Sequence, residues 1–111
     1  MTHRYAKRLA RIGANAAKTQ GEDFLDNDVT LKYADSTVRV SVAINSAVKL
    51  EWSPSSGSPF YLNGGAALTA DTVYTELVQL DTERTWNIQT DDAGGTTVLH
   101  LIITEIEGGG T

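Results

Sequence analysis

From Val29 to Ile106 the apolar side chains recur at alternate positions, in short runs separated by turn-forming residues. A period of two places successive side chains on opposite faces of an extended strand. In "VTLKY", Val29, Leu31 and Tyr33 alternate with Thr30 and Lys32. In "STVRVSVAI", Val38, Val40, Val42 and Ile44 alternate with Thr37, Arg39, Ser41 and Ala43, the clearest strand signal in the chain. "AVKLEW" sets Val48, Leu50 and Trp52 opposite Lys49 and Glu51, and "TWNIQT" puts Trp86 and Ile88 on one face. Asn45-Ser46, the Ser/Pro loop 53–59, Asn63-Gly64-Gly65, Ala70-Asp71, "DTER" and "DDAGG" punctuate these runs. Residues of these types supply the turns that β-chains need, and "DDAGG" predicts a hairpin. Seven or eight short strands with turns every 8–12 residues or so predict an all-β fold, an antiparallel β-sandwich of jelly-roll or Ig-like type.

Two runs depart from clean alternation. Around 73–80, Val73, Leu77, Val78 and Leu80 do not share one phase, which predicts a bulge or burial on both faces. In "TTVLHLIITEI", Leu99, Leu101 and Ile103 are expected on one face and Val98, His100, Ile102 and Ile106 on the other. Apolar residues on both faces predict a strand that is central or covered by a partner.

The first 20 residues follow another pattern. Tyr5, Leu9, Ile12 and Ala16 are spaced by four, three and four, which predicts an amphipathic helix over 2–18, weakened by Gly13. Isolated helices this short rarely persist in water, so the segment is expected to order on a docking surface. The chain divides into a basic arm or short helix (1–20), an acidic linker (21–28), the sandwich (29–106) and a glycine-rich tail (107–111).

Charge sharpens this division. Arg4, Lys7, Arg8, Arg11 and Lys18 give the arm +5, while residues 21–111 set four cations against all 14 acids, a net −10. A body this acidic repels nucleic acid and anionic lipid, so both are unexpected as partners. An acidic protein surface, its own or a neighbour's, fits the arm better. The arm residues expected to make that contact are Arg4, Tyr5, Lys7, Arg8, Leu9, Arg11, Ile12 and Lys18. Glu22, Asp23, Asp26 and Asp28 form a solvated acidic linker that offers them a docking site.

No enzyme signature accompanies these patterns. Glycine-rich phosphate loops, G-x-S-x-G and H-E-x-x-H are missing, and there is no cysteine for a disulfide or thiolate metal site. The four acids of the linker lack the spacing of a calcium loop, so no metal or cofactor is expected. His100 with Asp91 or Asp92 is a conceivable acid–base pair, but no activated nucleophile stands with it, and a histidine hydrogen-bonded between sheets fits better. Trp52, Tyr61 and Trp86 are candidate sugar contacts, although the tryptophans alternate in register with core positions and Tyr61 is the best candidate for exposure. No apolar run reaches the roughly 20 residues of a membrane helix, and the start lacks the apolar core of a secretion signal.

The arm, the Thr/Val/Gly-rich body, the stretch "FYLNGGAALTADTVYTELVQLDTERTWNIQTD" and the glycine tail together resemble small β-sandwich structural proteins of tailed viruses. In that group the sandwich decorates the capsid or builds the neck or tail, and an N-terminal arm ties it to its neighbours. The resemblance implies a non-enzymatic virion protein, assembled in the host cytoplasm. Its expected partners are its own copies and other virion proteins such as the major capsid or tail protein. The alternative is a carbohydrate-binding or adhesin module using Trp52, Tyr61 and Trp86.

Overall fold

A computed structural model describes residues 5–12, 16–31 and 37–107. The expected arm contacts of Arg4 and the end of the "VTLKY" run lie outside the described residues, as does the tail from residue 108. Eight strands form two packed antiparallel sheets: β1 (Tyr5–Ile12), β2 (Ala16–Lys18), β3 (Thr37–Ile44), β4 (Leu50–Pro54), β5 (Phe60–Tyr61), β6 (Tyr74–Gln79), β7 (Trp86–Thr90) and β8 (Thr96–Glu107). The larger sheet, A, has the order β1-β8-β3-β6, with β2 also paired to β8. The smaller sheet, B, has the order β5-β4-β7. The expected sandwich is present, and the only helical element among the described residues is a single 3-10 turn at Leu62–Gly65.

The expected N-terminal helix is a strand. Residues 5–12 pair antiparallel with β8, from Tyr5 opposite Glu107 to Ile12 opposite Leu101. The register shifts between Arg8 and Ala10, which leaves Leu9 as the extra residue of a β-bulge. A bulge changes the phase of alternation, so apolar residues before and after it are three apart instead of two or four. Leu9, the extra residue itself, also turns to the core and stands three positions before Ile12, a spacing that in sequence is indistinguishable from one turn of helix. Leu9, Ala10 and Ile12 pack against the core, while Lys7, Arg8 and Arg11 remain exposed. The arm is therefore docked on a strand of its own chain.

A second bulge corrects the faces of β8. Ala43 is opposite His100 but Ile44 is opposite Val98, so Leu99 is skipped. Val98, Leu101 and Ile103 point inward and are fully buried, whereas Leu99 is exposed and His100, Ile102 and Ile106 lie outward, half-buried. The expected central position holds, since β8 is flanked by β1 and β2 on one side and β3 on the other. The predicted irregularity in β6 is not found. That strand keeps an even register with β3 from Gln79 to Tyr74, with Leu77 and the preceding Val73 exposed at 61% and 58%.

Only β4 and β5 are neighbours both in sequence and in a sheet. The links β3–β4, β5–β6, β6–β7 and β7–β8 each cross from one sheet to the other. "DDAGG" is consequently a corner between sheets, not a hairpin. Asp92 Oδ1 accepts from Gly94 N at 3.0 Å, and Gly95 takes φ +94°, a conformation that suits glycine. At the β3–β4 crossing, Asn45 Oδ1 accepts from Thr97 N at 2.9 Å and Asn45 N donates to Thr97 O at 3.1 Å, which ties the corner to β8.

Between the sheets lie Val38, Val40, Val42, Ile44, Leu101 and Ile103 from sheet A and Leu50, Trp52, Trp86 and Ile88 from sheet B. Trp52 and Trp86 meet edge-to-face, with ring centroids 6.4 Å apart, and Phe60 stands 5.7 Å from Trp86. This geometry sets a positive ring edge against a negative ring face. Trp86 donates from Nε1 to Asp81 O at 3.0 Å, and the Arg84 guanidinium lies 4.6 Å from its ring. Arg84, at the end of the "DTER" turn, is in the β6–β7 loop, where it pairs with Asp81 at 2.6 Å and donates to Ser56 O at 2.8 Å. Glu105 is the only charged side chain that is buried among the described residues.

Because β1 packs on β8, its removal should cost stability. Burial of a large apolar side chain is worth about 1.5–3 kcal/mol, so half-burial of Leu9 and Ile12 together gives roughly 2–3 kcal/mol. Deletion of residues 1–12 should lower the urea midpoint of unfolding by a corresponding amount. An unchanged midpoint would contradict the docking of β1.

Candidate functional site

The pairing register determines which side chains share each outer surface. Across sheet A, Arg8, Thr104, Arg39 and Leu77 form one outward row. Arg11, Ile102, Ser41 and Thr75 form the next, and His100 and Ala43 begin a third. Arg8, Arg11 and Arg39 are exposed, and Thr104 between two of them is 8% exposed. Among the described residues no carboxylate occupies an outward strand position of this sheet. The face combines three guanidinium groups with Leu77, Ile102 and Ile106, and Val73 borders it.

The outer surface of sheet B has the opposite character. Tyr61, Glu51 and Gln89 form a row across β5, β4 and β7, and Asp23 extends it through a backbone bridge to Gln89. Gln89 Nε2 donates to Asp23 Oδ1 at 2.7 Å. Asp91 sits beside this row and accepts from Gln20 Nε2 at 3.1 Å and from Tyr61 OH at 3.4 Å. Lys49 is the one cation here among the described residues, with Nζ 5.5 Å from the Tyr61 ring centre. Partial burial, and then the Asp91 charge, push the Glu51 carboxyl above its ordinary pKa. The Asp91 charge first, then burial, raise the Tyr61 phenol.

The acidic linker is built into this surface. Phe24, Leu25, Val29 and Leu31 are buried in the core, so the segment is anchored where a solvated tether was expected. Asn87 holds it. Its Oδ1 accepts from Leu25 N at 3.0 Å, and its Nδ2 donates to Leu25 O at 3.1 Å and Asp28 Oδ1 at 2.8 Å. Asn87 faces away from the core yet is 2% exposed, because this segment covers it. Asp28 also accepts from Thr85 Oγ1 at 2.9 Å. Glu22 accepts from Thr19 N and Oγ1 at 2.8 Å each, bonds that hold its carboxyl below the usual pKa. Glu22, Asp23 and Asp28 are thus engaged within the chain. Asp26 is exposed at the rim of a groove of about 530 Å³ that it shares with Leu9, Arg11, Ile12 and Lys18.

The remaining candidates separate. Arg8 and Arg11 join the sheet A face, Lys7 is exposed at its edge, and Lys18 pairs opposite Thr96 in β2. Tyr5 belongs to β1 by its backbone; its side chain lies outside the described residues. Trp52 and Trp86 are 0% and 1% exposed, so Tyr61, at 40%, is left alone as a possible sugar contact. His100 lies on the outer face of sheet A, not between the sheets, and its Nε2 is 3.4 Å from Ser41 Oγ. Asp91 and Asp92 bond elsewhere, to Gln20, Tyr61, Thr96 and Gly94, so neither serves as the orienting acid considered for the imidazole. No three metal-ligating side chains gather among the described residues.

No protein-family model matches this sequence, and neither does any curated protein. The two outer faces must therefore be read from their own chemistry.

Arg39 and Glu51 did not stand out in the sequence, since each looks like a routine outward charge. Only the pairing of strands far apart in the chain gathers Arg8, Arg11 and Arg39 on one surface and Asp23, Glu51 and Asp91 on the other. Glu51 gives a test of this placement. Its folded-state pKa is raised, so the folded protein binds its proton more tightly than the unfolded chain does. Stability is then lost as pH rises from the ordinary carboxylate range through the folded pKa. Glu51→Gln should be as stable as the parent at pH 7 or slightly more so, by no more than about 0.5 kcal/mol for a half-buried group that solvent still screens. That advantage should vanish below about pH 4. A variant less stable at pH 7 would contradict it.

Proposed function

We propose that this chain is a non-enzymatic structural protein of a virion, a β-sandwich that assembles through its sheet faces on a capsid, neck or tail. The observation that carries the reading is the segregation of charge between the two outer faces. A sheet A surface with three exposed arginines and no carboxylate among its described positions backs a sheet B surface built from Asp23, Glu51 and Asp91. A protein that only had to stay soluble would gain by mixing the signs, since a single-sign field attracts its opposite. Exposed Val73 and Leu77 beside the arginines add apolar area that contact with another protein would cover.

The expected arm keeps a part in this reading, in altered form. Arg8 and Arg11 act from an edge strand of the sandwich, as members of the sheet A face. The partners are further copies of the chain and other virion proteins, and the setting is a particle assembled in the host cytoplasm. The support for that setting is the resemblance of the Thr/Val/Gly-rich body to structural proteins of tailed viruses.

Native mass measured against salt tests the reading. Raising ionic strength from about 0.1 to 1 M shortens the screening length from about 10 to 3 Å. The protein should form oligomers at low salt that dissociate as salt rises. A species that stays monomeric at low salt up to millimolar concentration, or an oligomer indifferent to salt, would contradict assembly through charged faces.

A further inference from the structure

The assembly reading leaves open which face meets which. We infer that the outer face of sheet A in one copy seats on the outer face of sheet B in the next, so that each copy offers two different halves of one interface. This inference rests on the proposed assembly function and adds the identity and polarity of the contact.

The argument is by elimination among three pairings. Joining two sheet A faces would bring Arg8, Arg11 and Arg39 against the same three side chains, with no carboxylate at the described outward positions to neutralise them. Joining two sheet B faces would oppose Asp23, Glu51 and Asp91 to themselves, with Lys49 as the one cation on each side among the described residues. Like charges set together at an interface cost several kcal/mol and exclude the arrangement. Joining A to B sets guanidinium groups against carboxylates, the planar pairing in which arginine bonds best.

The neutral parts of the faces match as well. Sheet A offers exposed Leu77 and half-buried Ile102 and Ile106, and sheet B offers the 40% exposed ring of Tyr61. Glu51 is already partly desolvated beside Asp91, so an incoming cation relieves a repulsion that the isolated chain carries. Both faces sit on paired strands, so little backbone ordering is needed on contact.

A contact between unlike faces is heterologous. It closes into a ring if the rotation between copies closes, and otherwise runs on as a filament. The narrower sheet B sets the footprint: three strands about 4.8 Å apart and up to five residues long at about 3.3 Å each give roughly 240 Å². That lies below the size of a stable pair, so each contact is weak alone and closure of many contacts supplies the strength.

Two full-length variants test the polarity. Arg11→Gln with Arg39→Gln neutralises most of the sheet A face, and Glu51→Gln with Asp91→Asn neutralises most of the sheet B face, so the two altered faces gain no charge complementarity for each other. Each alone should sediment as a monomer at low salt while the parent forms larger species. Mixed in equal amounts, they should form a one-to-one dimer and nothing larger, because one intact A face and one intact B face remain. If the sheet B variant assembles like the parent, or the mixture stays monomeric while the parent assembles, the inference fails and the assembly reading survives. A parent that is itself monomeric under all conditions overturns both. Should either double substitution unfold the protein, the single substitutions Arg39→Gln and Glu51→Gln repeat the test. Each should weaken the parent's self-association by about three- to tenfold, and no weakening from either overturns the inference.

Discussion

Strand β8 is hydrogen-bonded on both sides, to β1 and β2 along one edge and to β3 along the other. The rest of the molecule depends on that double pairing. A shift of one residue in its register would turn every side chain to the opposite face. The register that forms sends Val98, Leu101 and Ile103 inward and aligns Thr104 between Arg8 and Arg39. The same pairing therefore builds the core and gathers the cationic surface. Leu99, the bulged residue of β8, adjusts the phase so that Val98 and Leu101 both stay inside, while Leu9, the bulged residue of β1, packs against the core with Ala10 and Ile12.

Sheet B is narrow, with three strands, and its β7 edge is supplemented by the segment from Asp23 to Val29. Asn87 makes this addition possible. Its amide satisfies both backbone groups of Leu25, which lets Phe24 and Leu25 enter the core without leaving polar groups unpaired. The segment carries Asp23, Asp26 and Asp28 with it. Packing of two apolar residues thus places carboxylates around the outer surface of sheet B. The consequence is a sandwich with a basic back and an acidic front, a charge pattern that follows from strand order.

Much of this was legible in the chain. The alternation of Val38, Val40, Val42 and Ile44 identified β3, and apolar residues on both sides of 96–106 identified a central strand. Trp52 and Trp86 were placed in the core by their register with Leu50 and Ile88. The failures share a cause. Helix was expected at the N-terminus because Tyr5, Leu9, Ile12 and Ala16 are spaced by four, three and four, and a bulge at Leu9 sets Leu9 and Ile12 against the core without a helix. A hairpin was expected at 91–95 because turn chemistry reports a reversal but not whether the chain changes sheets. The linker was expected to be solvated because Glu22, Asp23, Asp26 and Asp28 crowd it without the spacing of a calcium loop, yet two buried side chains and one buried asparagine fix its place. The charged faces depend on pairings such as Arg39 with Thr104 and Thr104 with Arg8, which join residues 65 and 96 positions apart. Local patterns carry no record of them.

The central claim is that both outer faces are occupied when copies meet. Side-chain and backbone NMR shifts of the parent protein, followed through a dilution series at low salt, test it most directly. Arg39, Ile102 and Thr104 on one surface and Glu51, Tyr61 and Gln89 on the other should shift with a common concentration dependence, while core residues such as Val40 and Ile88 stay in place. Shifts confined to one of the two surfaces, or none at either, would contradict the account.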